Sequence, residues 1–205
     1  MRCVIIGGAD IGDYDRIKSY IKPDDFFVFC DSGLKHINKL NVNPSLIIGD
    51  FDSHPKPETD TEIIVLPCEK DDTDTVYAIK EAERRGFKDF LLIGVVGNRL
   101  DHTLVNVSIL NHLFERKEKG VIIDDFSEME IAGSETTYID DGFSYFSLLN
   151  VFGISEGVTI KNAKYTLDNA TITSEYQYAT SNEVIKGKTA EVTVSNGKLL
   201  LIKVK

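Results

Sequence analysis

The sequence lacks any apolar run approaching the ~20 residues that a membrane-spanning helix needs. Its first apolar segment, Val4-Ile5-Ile6, is followed at once by Gly-Gly-Ala-Asp, which predicts a first β-strand and not a secretion signal. Hydrophobic residues make up 42% of the 205 residues and charged residues 27%, as is typical of globular proteins. We therefore expect a cytoplasmic protein with no membrane partner.

Cysteine is scarce and tryptophan is absent. Cys3, Cys30 and Cys68 are odd in number and lie in or beside apolar runs, so we interpret them as buried reduced thiols. No Cys-x-x-Cys or His-x-x-x-His spacing occurs, and a zinc site is therefore not expected.

Basic residues are outnumbered, with 23 Lys and Arg against 33 Asp and Glu and a net charge of −10. This balance disfavours a nucleic-acid partner, because such binding depends on Lys and Arg contacts to phosphates. A nucleoside triphosphate is not excluded, but an acidic protein would need metal ions to bridge the charges.

The first 124 residues alternate strand and helix signals, which predicts a parallel sheet covered on both faces. The predicted strands are 2–6, 26–30, 45–48, 63–66, 90–95 and 121–123, and the predicted helices are 14–21, 34–40, 75–85 and 104–117.

Residues 125–205 lose the helical periodicity and carry short β-rich segments at 128–131, 136–139, 144–149, 157–160, 165–167, 170–173, 190–194 and 199–204. Asn196-Gly197 indicates a hairpin between the last two. We therefore predict an N-terminal parallel α/β three-layer domain (1–124) followed by a small antiparallel β-sandwich, jelly-roll-like (125–205).

Two carboxylates follow the third predicted strand in Gly49-Asp50-Phe51-Asp52-Ser53. If the extended backbone continues, Asp50 and Asp52 point the same way, about 6.6 Å apart at roughly 3.3 Å per residue. Their repulsion, about 2.5 kcal/mol at an effective dielectric of ~20, would become attraction around a cation such as Mg²⁺. The alternative is a solvated turn in which the Asp side chains accept from backbone N–H groups.

Two further segments follow predicted strands, where α/β proteins usually bind ligands. Gly7-Gly8-Ala9-Asp10 offers small residues that let a phosphate or ribose approach the backbone, although a plain turn fits equally well. In Asp31-Ser32-Gly33 the acidic residue could bind a ribose hydroxyl, or either polar residue could be a helix N-cap.

Lys70-Asp71-Asp72-Thr73-Asp74 comes just before a predicted helix. Capping and the helix dipole account for one or two acidic residues there, and a third suggests a metal or catalytic role.

Gly97-Asn98-Arg99-Leu100-Asp101-His102-Thr103 forms a predicted strand-to-helix turn. Arg99 could grip phosphate, while Asp101 and His102 could be a base and its orienting partner or could only cap the helix. We interpret the other histidines, His36, His54 and His112, as surface or helix residues. Together these loops fit metal-assisted phosphoryl-type transfer.

The ordered motifs resemble those of the thiamine pyrophosphokinase family. The resemblance rests on Gly-Gly-Ala-Asp (7–10), Asp-Ser-Gly (31–33), Pro-Ser-Leu-Ile-Ile-Gly-Asp-Phe-Asp-Ser (44–53), Lys-Asp-Asp-Thr-Asp (70–74) and Gly-Asn-Arg-Leu-Asp-His-Thr (97–103), with Lys-Tyr-Thr-Leu (164–167) and Thr-Ser-Asn-Glu (180–183) near the end.

The resemblance implies transfer of the pyrophosphoryl group of ATP to the hydroxyl of thiamine, giving thiamine diphosphate and AMP. It implies a homodimer with shared active sites, an N-terminal nucleotide-binding domain and a C-terminal thiamine-binding domain. By motif position, the implied roles are Mg²⁺ binding by Asp50, Asp52 and Asp74; nucleotide binding by Gly8, Asp10, Asp31, Ser32, Arg99 and His102; catalysis by Asp71, Asp74, Arg99 and Asp101; and thiamine binding by Asp71, Ser181 and Asn182.

Two departures from the family pattern affect these roles. Asn98 precedes Arg99 and Leu100 follows it where relatives often read Gly-Arg-Phe-Asp, so the loop around Arg99 can be shifted. The absence of tryptophan leaves Tyr or Phe to stack on thiamine.

Two other functions compete with this one. A metal-dependent phosphoesterase could use Asp50 and Asp52 with Asp101 and His102. Such enzymes usually bind Mn²⁺ through several histidines, however, and of the four in this chain only His102 is near a candidate site. A non-enzymatic nucleotide-binding module would need Asp74 only as a helix-capping residue.

Overall fold

The computed structural model describes residues 1–52, 56–69 and 71–205. The chain divides into two compact units, Met1–Asp125 and Phe126–Lys205, one residue later than the boundary expected from sequence. Within the described ranges, no helix is long and apolar enough to cross a membrane.

The described part of the first unit is built on six parallel strands in the order β4-β3-β2-β1-β5-β6. They are β1 (Cys3–Ile6), β2 (Phe26–Cys30), β3 (Leu46–Gly49), β4 (Glu62–Val65), β5 (Asp89–Ile93) and β6 (Lys119–Ile123). The strand order reverses direction between β1 and β5. Such a switch point opens a crevice at the carboxyl ends of the strands, where ligands of α/β proteins bind.

Helices cover both faces of this sheet, as the apolar strands require. The helical segments are α1 (Tyr14–Ser19), a 3₁₀ helix (Asp31–His36), α2 (Ile37–Leu40), α3 (Asp74–Arg84) and α4 (Leu100–Glu115). Ile17 of α1 and Leu40 of α2 pack in the core of one face. On the other face, Thr75 of α3 hydrogen-bonds Cys30, and a Cβ on Gly120 would lie only 2.6 Å from Leu113 of α4. The predicted three-layer arrangement is confirmed.

Helix α4 begins at Leu100 and not at the predicted residue 104. Its N-cap position is Arg99, which makes no side-chain capping bond, so the usual sequence signal of a helix start is missing. Asp101 and His102 therefore lie in the first helical turn.

Burial of the cysteines differs from the prediction at one position. Cys3 and Cys30 are buried, and burial raises the pKa of the Cys3 thiol to about 12, but Cys68 is exposed. Cys68 lies beyond the end of β4 in a polar loop, where the neighbouring apolar run no longer covers it.

The second unit, whose residues are all described, is a sandwich of two antiparallel sheets ordered β7-β13-β9 and β11-β10-β12-β8. The strands are β7 (Ser127–Ala132), β8 (Thr137–Asp140), β9 (Tyr145–Leu149), β10 (Ile154–Lys161), β11 (Leu167–Thr173), β12 (Thr189–Asn196) and β13 (Leu199–Val204). Their inward side chains form one apolar core that includes Phe146 and Leu201 from one sheet and Val158 and Val192 from the other. The predicted sandwich is confirmed.

Two local predictions for this unit are wrong. The segments 165–167 and 170–173 were expected to be separate strands, but β11 spans Leu167–Thr173 because the polar residues between them form a bulge, with Asn169 at φ 49°. The Asn196-Gly197 turn exists, yet β12 and β13 hydrogen-bond in different sheets. Local turn chemistry does not decide which strand becomes the partner.

Candidate active site

Three carboxylates converge at the carboxyl ends of β2 and β3. One oxygen from each of Asp31, Asp50 and Asp52 lies within 4.8 Å of the other two. Asp31 directly follows β2, and the other two follow β3, so adjacent parallel strands bring them together. Asp31 is buried, Asp50 is half-buried and Asp52 is exposed, so the cluster runs from the protein interior to the solvent.

The backbone at Phe51 explains how Asp50 and Asp52 approach each other. Phe51 has φ 55°, in the left-handed region that a bulky side chain rarely occupies. The extended geometry expected beyond β3 is therefore wrong, because the backbone leaves the extended conformation at Phe51, and the N–H of Asp52 donates to Asp50 Oδ1 at 3.3 Å. The strained residue between them thus accompanies the approach of both side chains to Asp31. Ser53, the last residue of the motif, lies outside the described residues.

Two glycines let the loops at this edge approach one another closely. A Cβ on Gly49 would lie 2.7 Å from the Cβ of Asp31, and a Cβ on Gly8 would collide with the side chain of Ser32. The loops that follow β1, β2 and β3 are thus in contact, with no space for a larger residue at either glycine.

Asp31 and Ser32 do not cap a helix, contrary to the capping interpretation. The N-cap of the 3₁₀ helix is Cys30, and no side-chain capping bond forms there. The geometry instead places Asp31, a predicted nucleotide-binding residue, within the acidic cluster. Its nucleotide-binding role and that of Ser32 stay predictions.

At the start of α3, different residues account for the structural needs of the helix. Thr73 is the N-cap and its Oγ1 accepts from the N–H of Val76 at 3.3 Å, while Asp72 pairs with Lys80 at 2.7 Å. Capping therefore does not require Asp74, the first helical residue. The hydrogen bond between Thr75 and Cys30 places this helix start beside the end of β2, although Asp74 is not among the three clustered carboxylates. Lys70 lies outside the described residues.

Asp71 is exposed in the loop before α3. It is one residue from Asp72 and three from Asp74, in the loop that leads into α3. Its predicted contact with the thiamine hydroxyl is untested and stays a prediction.

Arg99 and Asp101 form a bidentate ion pair at the start of α4. The pair lowers the pKa of Asp101 through the hydrogen bond from Arg99, and raises the pKa of Arg99 correspondingly. His102 is exposed. The interpretation of Asp101 and His102 as base and orienting partner is weakened, because Asp101 is held by the arginine.

The loop Gly7–Asp10, which follows β1, is anchored on both sides. The N–H groups of Gly7 and Ala9 donate to Ile93 O and Gly94 O, each at 2.8 Å. Asp10 is exposed and pairs with Lys35 at 2.7 Å, which lowers its pKa. Gly8 lies between these anchors.

His36, a predicted surface or helix residue, lies in the 3₁₀ helix but is buried, with 1% exposure. Its ring contacts Tyr14 and Ala9. Sequence reasoning missed this connection, because the three residues share no local pattern. His112 is exposed and pairs with Glu83, as a surface residue should, and His54 lies outside the described residues.

In the second unit, the predicted thiamine-binding residues occupy a constrained turn. Ser181 is exposed with φ 53°, and its N–H donates to Ser147 Oγ at 3.0 Å. The buried amide of Asn182 accepts from the N–H groups of Tyr165 and Glu183 and donates to Tyr165 O at 2.7 Å. Asn182 thus shapes the turn that presents Ser181. Ligand binding by either residue stays a prediction.

Comparison with known families gives two matches in the order of the two units. The family model described as "Thiamin pyrophosphokinase, catalytic domain" matches residues 11–123. The model described as "Thiamin pyrophosphokinase, vitamin B1 binding domain" matches residues 136–199.

Individual relatives cover all or nearly all of the chain. The thiamine pyrophosphokinase of Bacillus subtilis (strain 168) is 24% identical over 97% of this chain and 96% of its own length. A crystal structure of the Bacillus subtilis protein matches with a TM-score of 0.88 at 22% identity, over 100% of this chain and 99% of that one. The thiamin pyrophosphokinase from Geobacillus thermodenitrificans matches with a TM-score of 0.85 at 27% identity, over 100% and 98%.

Proposed function

The chain belongs to the thiamin pyrophosphokinase family, and we propose that this kinase-type transferase moves the pyrophosphoryl group of ATP to the hydroxyl of thiamine, giving thiamine diphosphate and AMP. The observation that carries the proposal is the convergence of Asp31, Asp50 and Asp52 in the unit that matches the catalytic model. The family match supports this function and neither of the alternatives, the phosphoesterase or the non-enzymatic module.

The clustered carboxylates suit Mg²⁺, which prefers oxygen ligands at short distances in near-octahedral arrangement. Oxygens on opposite sides of an ion at ~2.1 Å are about 4.2 Å apart, so the 4.8 Å limit of the cluster needs only small side-chain rotations. We propose that Asp31, Asp50 and Asp52 would hold the ion, with Asp74 reaching it from α3. When bound, Mg²⁺ would neutralise negative charge on the triphosphate oxygens.

The remaining residues are proposed to orient the reacting groups. The hydroxyl oxygen of thiamine forms a bond to the β-phosphorus of ATP, and the bond from that phosphorus to the α–β bridging oxygen breaks, so AMP leaves. Asp71 or Asp74 orients the hydroxyl and takes its proton. Arg99, released from Asp101, contacts phosphate and stabilises the charge that develops during transfer.

Further residues are proposed to contact the nucleotide and thiamine. We propose that Gly8, Asp10, Ser32 and His102 contact the nucleotide. Thiamine is a cation, and a chain with a net charge of −10 attracts it. Ser181, presented by its left-handed turn, contacts thiamine from a partner subunit in a homodimer.

Cytoplasmic location is part of the same proposal. Cys3, Cys30 and Cys68 are free thiols, and Cys68 is exposed, which suits a reducing compartment.

A product assay tests the function directly. Purified protein is incubated with ATP and Mg²⁺, with or without thiamine, and nucleotides and thiamine esters are separated by chromatography. We expect AMP and thiamine diphosphate in equal amounts, and no AMP without thiamine. Phosphate release without thiamine would favour the phosphoesterase, and nucleotide binding without turnover would favour the non-enzymatic module.

A further inference from the structure

The buried histidine His36 connects two elements of the candidate site. It ends the 3₁₀ helix whose first residue, Asp31, belongs to the acidic cluster. Its Nε2 lies 2.9 Å from the carbonyl oxygen of Ala9, and its Nδ1 lies 2.7 Å from the hydroxyl of Tyr14. One imidazole ring thus joins the 3₁₀ helix to the loop Gly7–Asp10 and to α1.

The partners of His36 determine its protonation. A carbonyl oxygen can only accept, so Nε2 must carry the hydrogen that is donated to Ala9. In the neutral ring Nδ1 is then an acceptor, and the hydroxyl of Tyr14 donates to it. Burial lowers the pKa of His36, which favours this neutral form.

The hydrogen bond between His36 and Ala9 holds the loop Gly7–Asp10 more firmly than the ion pair between Asp10 and Lys35 does. Both backbone polar groups of Ala9 are hydrogen-bonded, because its N–H donates to Gly94 O at 2.8 Å and its carbonyl accepts from His36. By contrast, the ion pair between Asp10 and Lys35 is largely exposed, and such pairs contribute little.

We propose that His36 is a positioning residue for nucleotide binding. Through Ala9 it sets the distance between the acidic cluster, which includes Asp31, and the loop Gly7–Asp10, which receives phosphates. The inference rests on the proposed function, because that function makes this loop part of the ATP site. His36 itself touches no substrate.

Two amide substitutions separate the two contacts of His36. In His36→Gln the side-chain amide reaches the position of Nε2 and can still donate to Ala9 O. In His36→Asn it reaches only the position of Nδ1 and can still bond to Tyr14. Each variant loses one buried hydrogen bond, so their thermal midpoints should fall by similar amounts, and His112→Gln is a control at an exposed histidine.

The readouts are the KM for ATP, kcat, and the Kd for α,β-methylene-ATP with Mg²⁺ by calorimetry. That analogue has a carbon in place of the oxygen at the bond to be broken, so binding is measured without turnover. We expect His36→Asn to raise the Kd and KM about five- to tenfold, with kcat changed less than about twofold, and His36→Gln to raise them less than about twofold. Equal increases in both variants, or none in His36→Asn, would overturn the proposal.

A measurement on the unsubstituted protein covers the case in which a variant does not fold. Nitrogen-15 spectra of the imidazole should show protonated Nε2 and unprotonated Nδ1 in His36, and the Nε2–H resonance should shift when α,β-methylene-ATP is added. The opposite tautomer, or an unmoved resonance, contradicts the proposal. If the protein binds the analogue but makes no thiamine diphosphate, the proposed function fails while the comparison of Kd values still decides the role of His36.

Discussion

Arg99 and Asp101 hold each other through two parallel contacts, Nε to Oδ1 at 2.9 Å and Nη2 to Oδ2 at 2.6 Å. Both side chains are largely exposed, with 70% and 63% of their surface accessible. An exposed pair contributes little to stability, so the arginine can exchange Asp101 for a phosphate at small cost. The exposed contact with Asp101 at the start of α4 therefore leaves Arg99 available for the phosphate binding proposed above.

This relationship predicts unequal effects of substitutions at the two positions. Arg99→Lys keeps the charge but loses the planar two-point contact, so we expect kcat to fall by about tenfold to a hundredfold. Asp101→Asn removes only the contact that Arg99 makes in the absence of substrate and should lower kcat less than about fivefold. Steady-state assays at saturating thiamine provide the comparison, and a larger loss in Asp101→Asn would assign the main catalytic role to the aspartate.

The acidic cluster predicts a trade between stability and metal binding. Without a cation the carboxylates within 4.8 Å of one another repel, so Asp52→Asn should raise the melting temperature of the metal-free protein by about 2–4 °C. In the unsubstituted protein Mg²⁺ should raise the melting temperature, and Asp52→Asn should lose most of that increase. Differential scanning calorimetry with EDTA and with Mg²⁺ measures both effects.

Asp24→Asn removes an equal charge at an exposed site outside the cluster, and is the control. If it changes the response to Mg²⁺ as much as Asp52→Asn does, the cluster is not the metal site.

At the start of α3, capping and catalysis can be separated. Because Thr73 already caps the helix, we expect Asp74→Asn to keep its helical circular dichroism, whereas kcat should fall by orders of magnitude because a proposed metal ligand is lost. Asp72→Asn loses an exposed ion pair with Lys80 and should keep most of the activity. Retained turnover in Asp74→Asn would remove this residue from the catalytic group.

The proposed homodimer with shared sites predicts complementation between inactive variants. Asp74→Asn disables the catalytic unit, and Ser181→Lys places a cation where cationic thiamine is proposed to bind. Each alone should be inactive, but after mixing and subunit exchange half of the dimers carry one intact site, so activity should recover to about a quarter of the unsubstituted level. Light scattering establishes the dimer, and an absence of recovery despite subunit exchange argues for sites within single subunits.

The pairing of Glu81 predicts a pH-dependent stability. The buried Glu81 accepts hydrogen bonds from Arg84 and Arg85 at 2.7–2.8 Å, and the bonds from Arg84 are the main reason that its pKa falls from 4.5 to about 2. A lowered carboxyl pKa stabilises the folded state above pH 4.5, and this contribution disappears as the pH falls towards 2. We expect Glu81→Gln to cost about 2 kcal/mol at pH 7.

Urea unfolding at pH 7, 4.5 and 3 tests this sign. The difference between Glu81→Gln and the unsubstituted protein should shrink with falling pH, whereas the exposed Glu175→Gln should show little difference throughout. A difference that grows towards low pH contradicts the assigned cause.

Sequence predicted the parts of the structure that depend on local patterns. The strand at residues 26–30 is predicted with its observed bounds, because a continuous apolar run ends there in polar residues. The loops with candidate site residues also follow the predicted strands. The sandwich was recognisable from its spacing of short strands and turns.

The parts that depend on distant contacts were not predictable in the same way. The left-handed Phe51 changes the relation between Asp50 and Asp52, and no residue type there signals it. His36 and Tyr14 are 22 residues apart, and only the packed fold brings them together. The bulge at Asn169 has the composition of a turn, so local chemistry alone gives the wrong number of strands.

The close packing at Gly8 and Gly49 has a consequence for how such an enzyme can diversify. The spacing between these loops depends on the absence of side chains, and even a methyl group at either position would force them apart. Changes in substrate preference are therefore more accessible through the side chains around the acidic cluster than through the backbone of these loops. A directed-evolution effort should leave those two codons untouched and randomise the surrounding polar positions.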